Sequence, residues 1–165
     1  MIKNLFEKIH ILQNLYIKNR CFIKRKSYSM DSEDIQVKKY FEKKTKGFYV
    51  DVGSYHPIQR NNTMLLHQIG WEGVNIDISD FSIKLFNHIR PNDINLNLAI
   101  SNTQGSVDVY YQKKLSQLTT IKKKMAEKAF QGKIKNTKIS SKTLTEVLND
   151  TKYCNTKIDF LDVDV

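Results

Sequence analysis

Ile2, Leu5, Phe6, Ile9, Leu12, Leu15 and Tyr16 recur at spacings of three and four, the period of a helix with one apolar face. Lys3, Lys8 and Lys18 fall elsewhere on that helix, and Arg20 to Lys26 extends a basic tract. Ser29 to Asp31 supplies capping residues for a second helix running to about Lys44, with Ile35, Val37, Tyr40 and Phe41 facing inward. The pattern then shifts to short apolar runs. Phe48 to Val52, between Gly47 and Gly53, reads as a strand, and Gly73 to Asp77 as a second. Thr63 to Ile69 between them reads as a short helix closed by Gly70. Asp80 is placed to cap a helix to about Ile89, with Phe81, Leu85 and Ile89 on one face and Pro91 as its stop. Ile94 to Ile100 predicts a third strand. Val107 to Tyr111, following closely, predicts a fourth with an antiparallel or hairpin partner. Lys113 to Lys142 is the least regular stretch, with one helix expected around Ile121 to Phe130. Thr143-Leu144-Thr145-Glu146 has the form of a capping box opening a helix to about Asn149, and Ile158 to Val165 reads as a last strand.

Strands alternating with helical stretches at these spacings predict an α/β fold with a parallel sheet joined by right-handed crossovers. In such sheets ligands sit beyond the carboxyl ends of the strands, so the residues just after each strand merit attention. A length of 165 residues is enough for one domain with a core of its own. Apolar residues at 40% and charged residues at 27%, with six Gly and two Pro, exclude collagen-like, coiled-coil and broadly disordered classes. Two cysteines, Cys21 and Cys154, make a disulfide framework improbable and a reducing, cytoplasmic setting the expectation. No stretch has the uncharged length of a membrane span, and the first residues fit a secretory signal poorly.

Charge changes the picture because it is uneven. The chain carries a formal +10, with +6 in residues 1–26 and +9 in 113–142, against −2 in 27–112 and −3 in 143–165. Solvated lysine faces are the simplest reading. Contact of residues 1–26 with an anionic membrane surface is an alternative, since an amphipathic basic helix suits that role. Arginine occurs only at positions 20, 25, 60 and 90, without interleaved aromatics, so no nucleic-acid partner is expected. The histidines are widely spaced and no cysteine stands near them at zinc-ligand separations, so no metal site is expected.

The candidate chemistry lies at the strand ends. Asp51-Val52-Gly53 closes the first strand and Asp77 the second, and an acid after the second strand of a nucleotide-binding half-domain commonly receives ribose hydroxyls. Ser54-Tyr55-His56-Pro57 follows Gly53 where a dinucleotide site needs further glycines, and no P-loop occurs. S-adenosylmethionine, which carries a ribose, an adenine and a sulfonium but no phosphate, fits such acidic strand ends better.

Gly47 to Pro57 (GFYVDVGSYHP) resembles the first motif of the FkbM family of S-adenosylmethionine-dependent methyltransferases. The likeness continues in order through Asn61 to Thr63, Gly70 to Asp77 (GWEGVNID), Arg90 to Ser101 (RPNDINLNLAIS) and Lys157 to Val165 (KIDFLDVDV). Tyr28 to Ile35 is similar to a further element upstream, so the resemblance covers 28–165 as a methyltransferase domain and leaves 1–27 as a separate basic helix. It implies that Asp51, Gly53 and Ser54 border the amino-acid end of the cofactor and that Asp77, with Ile78 beside it, holds the ribose. It also implies that Ala99, Ile100 and Ser101 lie against the adenine and that Asp164 stands at the mouth. Met30, Ser32, Asn61 and Asp162 depart from the residues usual in the family. Since a class I methyltransferase sheet has about seven strands, the resemblance also implies an incomplete sheet, ending before a Glu-Gly pair that usually follows. The expected activity is O-methylation of a hydroxyl on a sugar or small metabolite. His56 is the first candidate for the general base, with Asp164 and Asp162 behind it. A truncated, non-catalytic remnant and a basic module binding nucleic acid or an anionic membrane are the competing readings, and the oligomeric state is open.

Overall fold

A computed structural model describes residues 2–164, with side chains from Asn4 onward. Val165, the last position of the expected final strand, lies outside the described residues. The main sheet contains β1 (Phe48–Val52), β2 (Glu72–Asp77), β3 (Ile94–Asn97) and β7 (Phe160–Val163) in the order β3-β2-β1-β7, all parallel. This is the parallel α/β arrangement that the alternation of strands and helices predicts, and it has the Rossmann-like form that the resemblance implies.

The two-residue period of the central strands sorts the two faces of the sheet. Phe48, Val50 and Val52 of β1, with Val74 and Ile76 of β2, pack on Leu98 and Val147 in an apolar layer. Tyr49 and Asp51 of β1 and Asn75 of β2 turn to the other face and are also buried. There Tyr49 joins Leu66 and Trp71, with Val37 and Phe41 alongside. A Cβ at position 73 would run into the Tyr49 ring, so glycine is what lets that ring lie on β2. Trp71 is buried as a packing residue, its indole N–H donating to the Lys44 carbonyl.

Helices fall close to their expected places. α2 (Glu33–Tyr40) is shorter than the sequence suggests, since the chain turns at Phe41. α3 (Met64–Gln68) ends at Gly70, whose φ of 94° needs glycine. α4 (Asp80–Ile89) is capped by the Ser79 hydroxyl, which accepts from Ser82 N, so Asp80 is its first residue rather than its cap. α6 (Leu144–Asn149) has the expected capping box, with Thr143 and Glu146 bonded reciprocally.

Two expectations are corrected. The run 94–100 is not one strand, because it breaks at Leu98, which turns into the apolar layer. β3 stays in the main sheet, while β4 (Ala99–Ile100) leaves it for a second, three-stranded sheet. The antiparallel partner of β5 (Gly105–Tyr111) is β6 (Lys135–Lys142), inside the tract that reads as irregular. β6 shows no apolar alternation, being mostly exposed with only Ser141 buried, and its backbone pairing with β5 holds it in place. α5 (Lys123–Ala129) lies against β5, and Ala126 and the following Phe130 are buried.

α1 (Ile2–Leu12) continues into a π-helical turn, Gln13–Lys18. Of the described side chains of the apolar row predicted from spacing, Leu15 alone is in the core, beside Ile58, Leu65 and Leu85, while the Ile2 side chain lies outside the described residues. Leu5, Phe6, Ile9, Leu12 and Tyr16 are exposed. No helix among the described residues is long and apolar enough to cross a membrane.

Candidate active site

The carboxyl ends of β1, β2 and β7 gather the acidic residues singled out by sequence. Gly53, at φ 82°, turns the chain after β1 so that its own N–H and that of Ser54 both donate to the Ile76 carbonyl, at 2.9 and 3.1 Å. Ser54 is buried, with its hydroxyl on the same carbonyl. Tyr55 N then reaches Asp77 at 2.8 Å, and Ser79 N reaches the other oxygen of that carboxylate at 2.7 Å. Each Asp77 oxygen therefore holds one backbone donor and keeps a free lone pair. Burial pushes its pKa up to about 6, against the pull of the two N–H groups. Ile78 beside it is half-buried.

Asp164 is exposed, and its N–H donates to the Val52 carbonyl at 2.9 Å, which sets it beside the Gly53 turn. Asp162 stands on β7 in register with Asp51 of β1. It is half-buried and receives Asn62 Nδ2 at 3.1 and 3.3 Å. Burial, with the charges of Asp164 and Glu33, raises its pKa. Ala99, Ile100 and Ser101 are held differently. Ala99 and Ile100 pair with β6 and Ser101 N donates to the Lys142 carbonyl, while Asn97 Nδ2 donates to the Asp77 carbonyl and ties that segment to the end of β2.

His56 is no free base. Its side chain is fully buried, Nδ1 accepts the N–H groups of Ile58 and Gln59 at 3.0 Å each, and Nε2 lies 2.8 Å from Asn14 Oδ1. Two donors on Nδ1 fix the proton on Nε2, where it is given to Asn14. Burial, with the charges of Arg90 and Arg25 nearby, lowers its pKa to about 3. The histidine instead pins the turn after Gly53 to the residues following α1.

Asp51 faces a buried polar network that the sequence does not announce. One of its oxygens accepts from Thr63 Oγ1 at 2.9 Å and Asn61 Nδ2 at 3.2 Å. Arg90, also fully buried, donates to Thr63 Oγ1, Tyr49 Oη, Asn61 Oδ1 and the Pro57 carbonyl at 2.7–3.1 Å. Tyr49 in turn donates to Asp93, which also receives Gly73 N and Asn75 Nδ2. The signal for Arg90 is present in the sequence, since it is one of four arginines in a lysine-rich chain and opens a motif block.

Burial, then the neighbouring Asp162 charge, push the Asp51 carboxyl up to about 7, with Arg90, Thr63 and Asn61 pulling it down. A carboxyl whose folded pKa exceeds its unfolded value near 3.8 stabilises most below that value, and the contribution is lost as pH rises through the folded one. His56, with its folded pKa lowered, acts oppositely: its contribution is present above 6.5 and lost as pH falls. The two slopes oppose each other between about pH 5 and 6.5. Asp51→Asn keeps the acceptor for Thr63 and Asn61 but removes the titration. Its unfolding free energy relative to wild type should therefore rise by about 2 kcal/mol over that span, read from urea melts at the two pH values. Parallel profiles would count against a protonated Asp51.

A parallel sheet whose strand ends carry Asp51, Asp77 and Asp162 is the arrangement of a Rossmann-like domain. The model of the methyltransferase FkbM domain matches residues 51–165, and the chain belongs to that family. Comparison with curated proteins and with solved structures gives no match.

Proposed function

We propose that this chain binds S-adenosylmethionine at the ends of β1 and β2 and methylates a hydroxyl of a sugar or other small metabolite. The observation that carries the reading is how hydrogen bonds are used around Asp77. Gly53 N and Ser54 N are both committed to the Ile76 carbonyl, which leaves no amide cradle for a phosphate there. Asp77 meanwhile retains acceptor capacity on both oxygens. Free acceptors and committed amides suit ribose hydroxyls, which donate, and disfavour a pyrophosphate, which needs donors. S-adenosylmethionine, when bound, supplies an electrophilic methyl group on a sulfonium. Asp77 holds the ribose, the Gly53 turn shapes the amino-acid end, and Ala99 to Ser101 flank the adenine. Asp162 takes the proton of the acceptor hydroxyl, in place of His56.

Thermal unfolding with S-adenosylhomocysteine tests the cofactor. At 100 times its dissociation constant the ligand should add about 2.7 kcal/mol, a shift of several degrees, with none from NADH or ATP. Asp77→Ala should weaken binding at least about tenfold, since charge-assisted hydrogen bonds are lost. An analogue lacking both ribose hydroxyls should bind wild type and variant alike. A shift with NADH or ATP, or an Asp77→Ala effect that persists with the analogue, would reject the assignment.

A further inference from the structure

α1 presents its apolar side outward. Leu5 (59%), Phe6 (67%), Ile9 (51%) and Leu12 (47%) are exposed although their three-and-four spacing is that of a buried stripe. The opposite side is fixed to the domain. His10 stacks on Phe81 at 4.5 Å, Leu15 sits in the core, and Asn14 holds His56. Glu7, the single acid in residues 1–26, is turned to Lys84 at 2.7 Å. Helix α1 therefore cannot roll its apolar row inward without breaking these contacts.

Cations surround the row. Lys8, Lys18, Arg20, Lys24 and Lys26 are exposed, and Lys114 lies 3.8 Å from Glu7, which brings the second basic tract to the same helix. A second copy of the chain is a poor cover, because it would set one +6 segment against another. An anionic bilayer answers both features, receiving the apolar side chains below its headgroups and the lysines at its charged surface.

We infer that the α1 face, with the basic residues after it, docks the enzyme on anionic lipid membranes. The test is sedimentation of the full chain with phosphatidylcholine vesicles, with and without about 30% phosphatidylglycerol. Binding should require the anionic lipid and fall steeply between about 0.1 and 0.5 M salt. Phe6→Ser with Ile9→Ser should weaken it about tenfold or more at an unchanged unfolding midpoint. Lys8→Glu with Lys18→Glu, which leaves the apolar row intact, should weaken it comparably. Folded wild-type protein that ignores the anionic vesicles would overturn the proposal, as would binding indifferent to the Phe6 and Ile9 changes. A dimer in analytical ultracentrifugation that those two changes dissociate would assign the face to a second copy instead.

Discussion

Asp162→Asn should lower methyl transfer by about two to four orders of magnitude, the range typical of removing a general base, while leaving S-adenosylhomocysteine affinity within about threefold. The expectation follows from which side chains can accept a proton at the carboxyl ends of the strands. His56 is excluded by its own hydrogen bonds, since both nitrogens are engaged and burial keeps the ring neutral. Asp51 is enclosed by Thr63 and Asn61, and the residue is 2% exposed. Asp162 shares that face of the sheet but is only half-buried, and burial with the Asp164 and Glu33 charges raises its pKa against the pull of the Asn62 hydrogen bond. The asparagine is isosteric and can still meet Asn62, so folding should be little changed. The assay is transfer of labelled methyl to a panel of sugar and polyol hydroxyls. For the acceptor it identifies, the acid limb of the pH–rate profile should lie above the ordinary carboxylate range and disappear in the variant. Unaltered turnover by Asp162→Asn would move the role to Asp164 or to the acceptor's own surroundings.

The parts of the fold legible in the sequence are those where local chemistry and burial agree. β1 is a short apolar run between two glycines and β2 a short run opening at Gly73, and both are almost wholly buried. The capping box at Thr143 is local and forms as written. β6 was not legible because nothing in Lys135–Lys142 depends on a face, and its strand form comes from seven backbone pairings with β5. α1 misled in a different way. Its period correctly marks a helix, but period alone cannot say which side the domain takes, and the domain takes Asn14, Leu15 and His10. The placement of Asp51, Gly53 and Asp77 at the carboxyl ends of β1 and β2 was legible because both strands are short runs with clear ends. The hydrogen bonds that engage His56 were not legible, since its spacing from Gly53 is visible in sequence whereas Asn14, 42 positions away, is not.

Arg90→Met should destabilise the fold by about 3–5 kcal/mol, or about 10 °C in unfolding midpoint, because it leaves buried partners without their cation. The guanidinium bridges the end of α4 to the loop Pro57–Thr63 and to Tyr49 on β1, through four oxygen acceptors that no single ammonium could reach together. Arg90→Lys should accordingly recover only part of the loss. Methionine fills similar volume, so what it mainly removes is charge and hydrogen bonding, and that distinction can be measured. With the cation gone, the Asp51 carboxyl moves further up from about 7, and its proton is bound more tightly in the folded state. Stability present while Asp51 is protonated is lost as pH rises through its folded pKa, so Arg90→Met should suffer more at about pH 8 than at about pH 5.5. A deficit from packing alone would not vary with pH. Because the same arginine holds the loop that follows the Gly53 turn, the variant should also bind S-adenosylhomocysteine more weakly at a temperature where it is still folded. A loss under about 1 kcal/mol, equal at both pH values, would mean that Tyr49, Thr63 and Asn61 satisfy one another without Arg90.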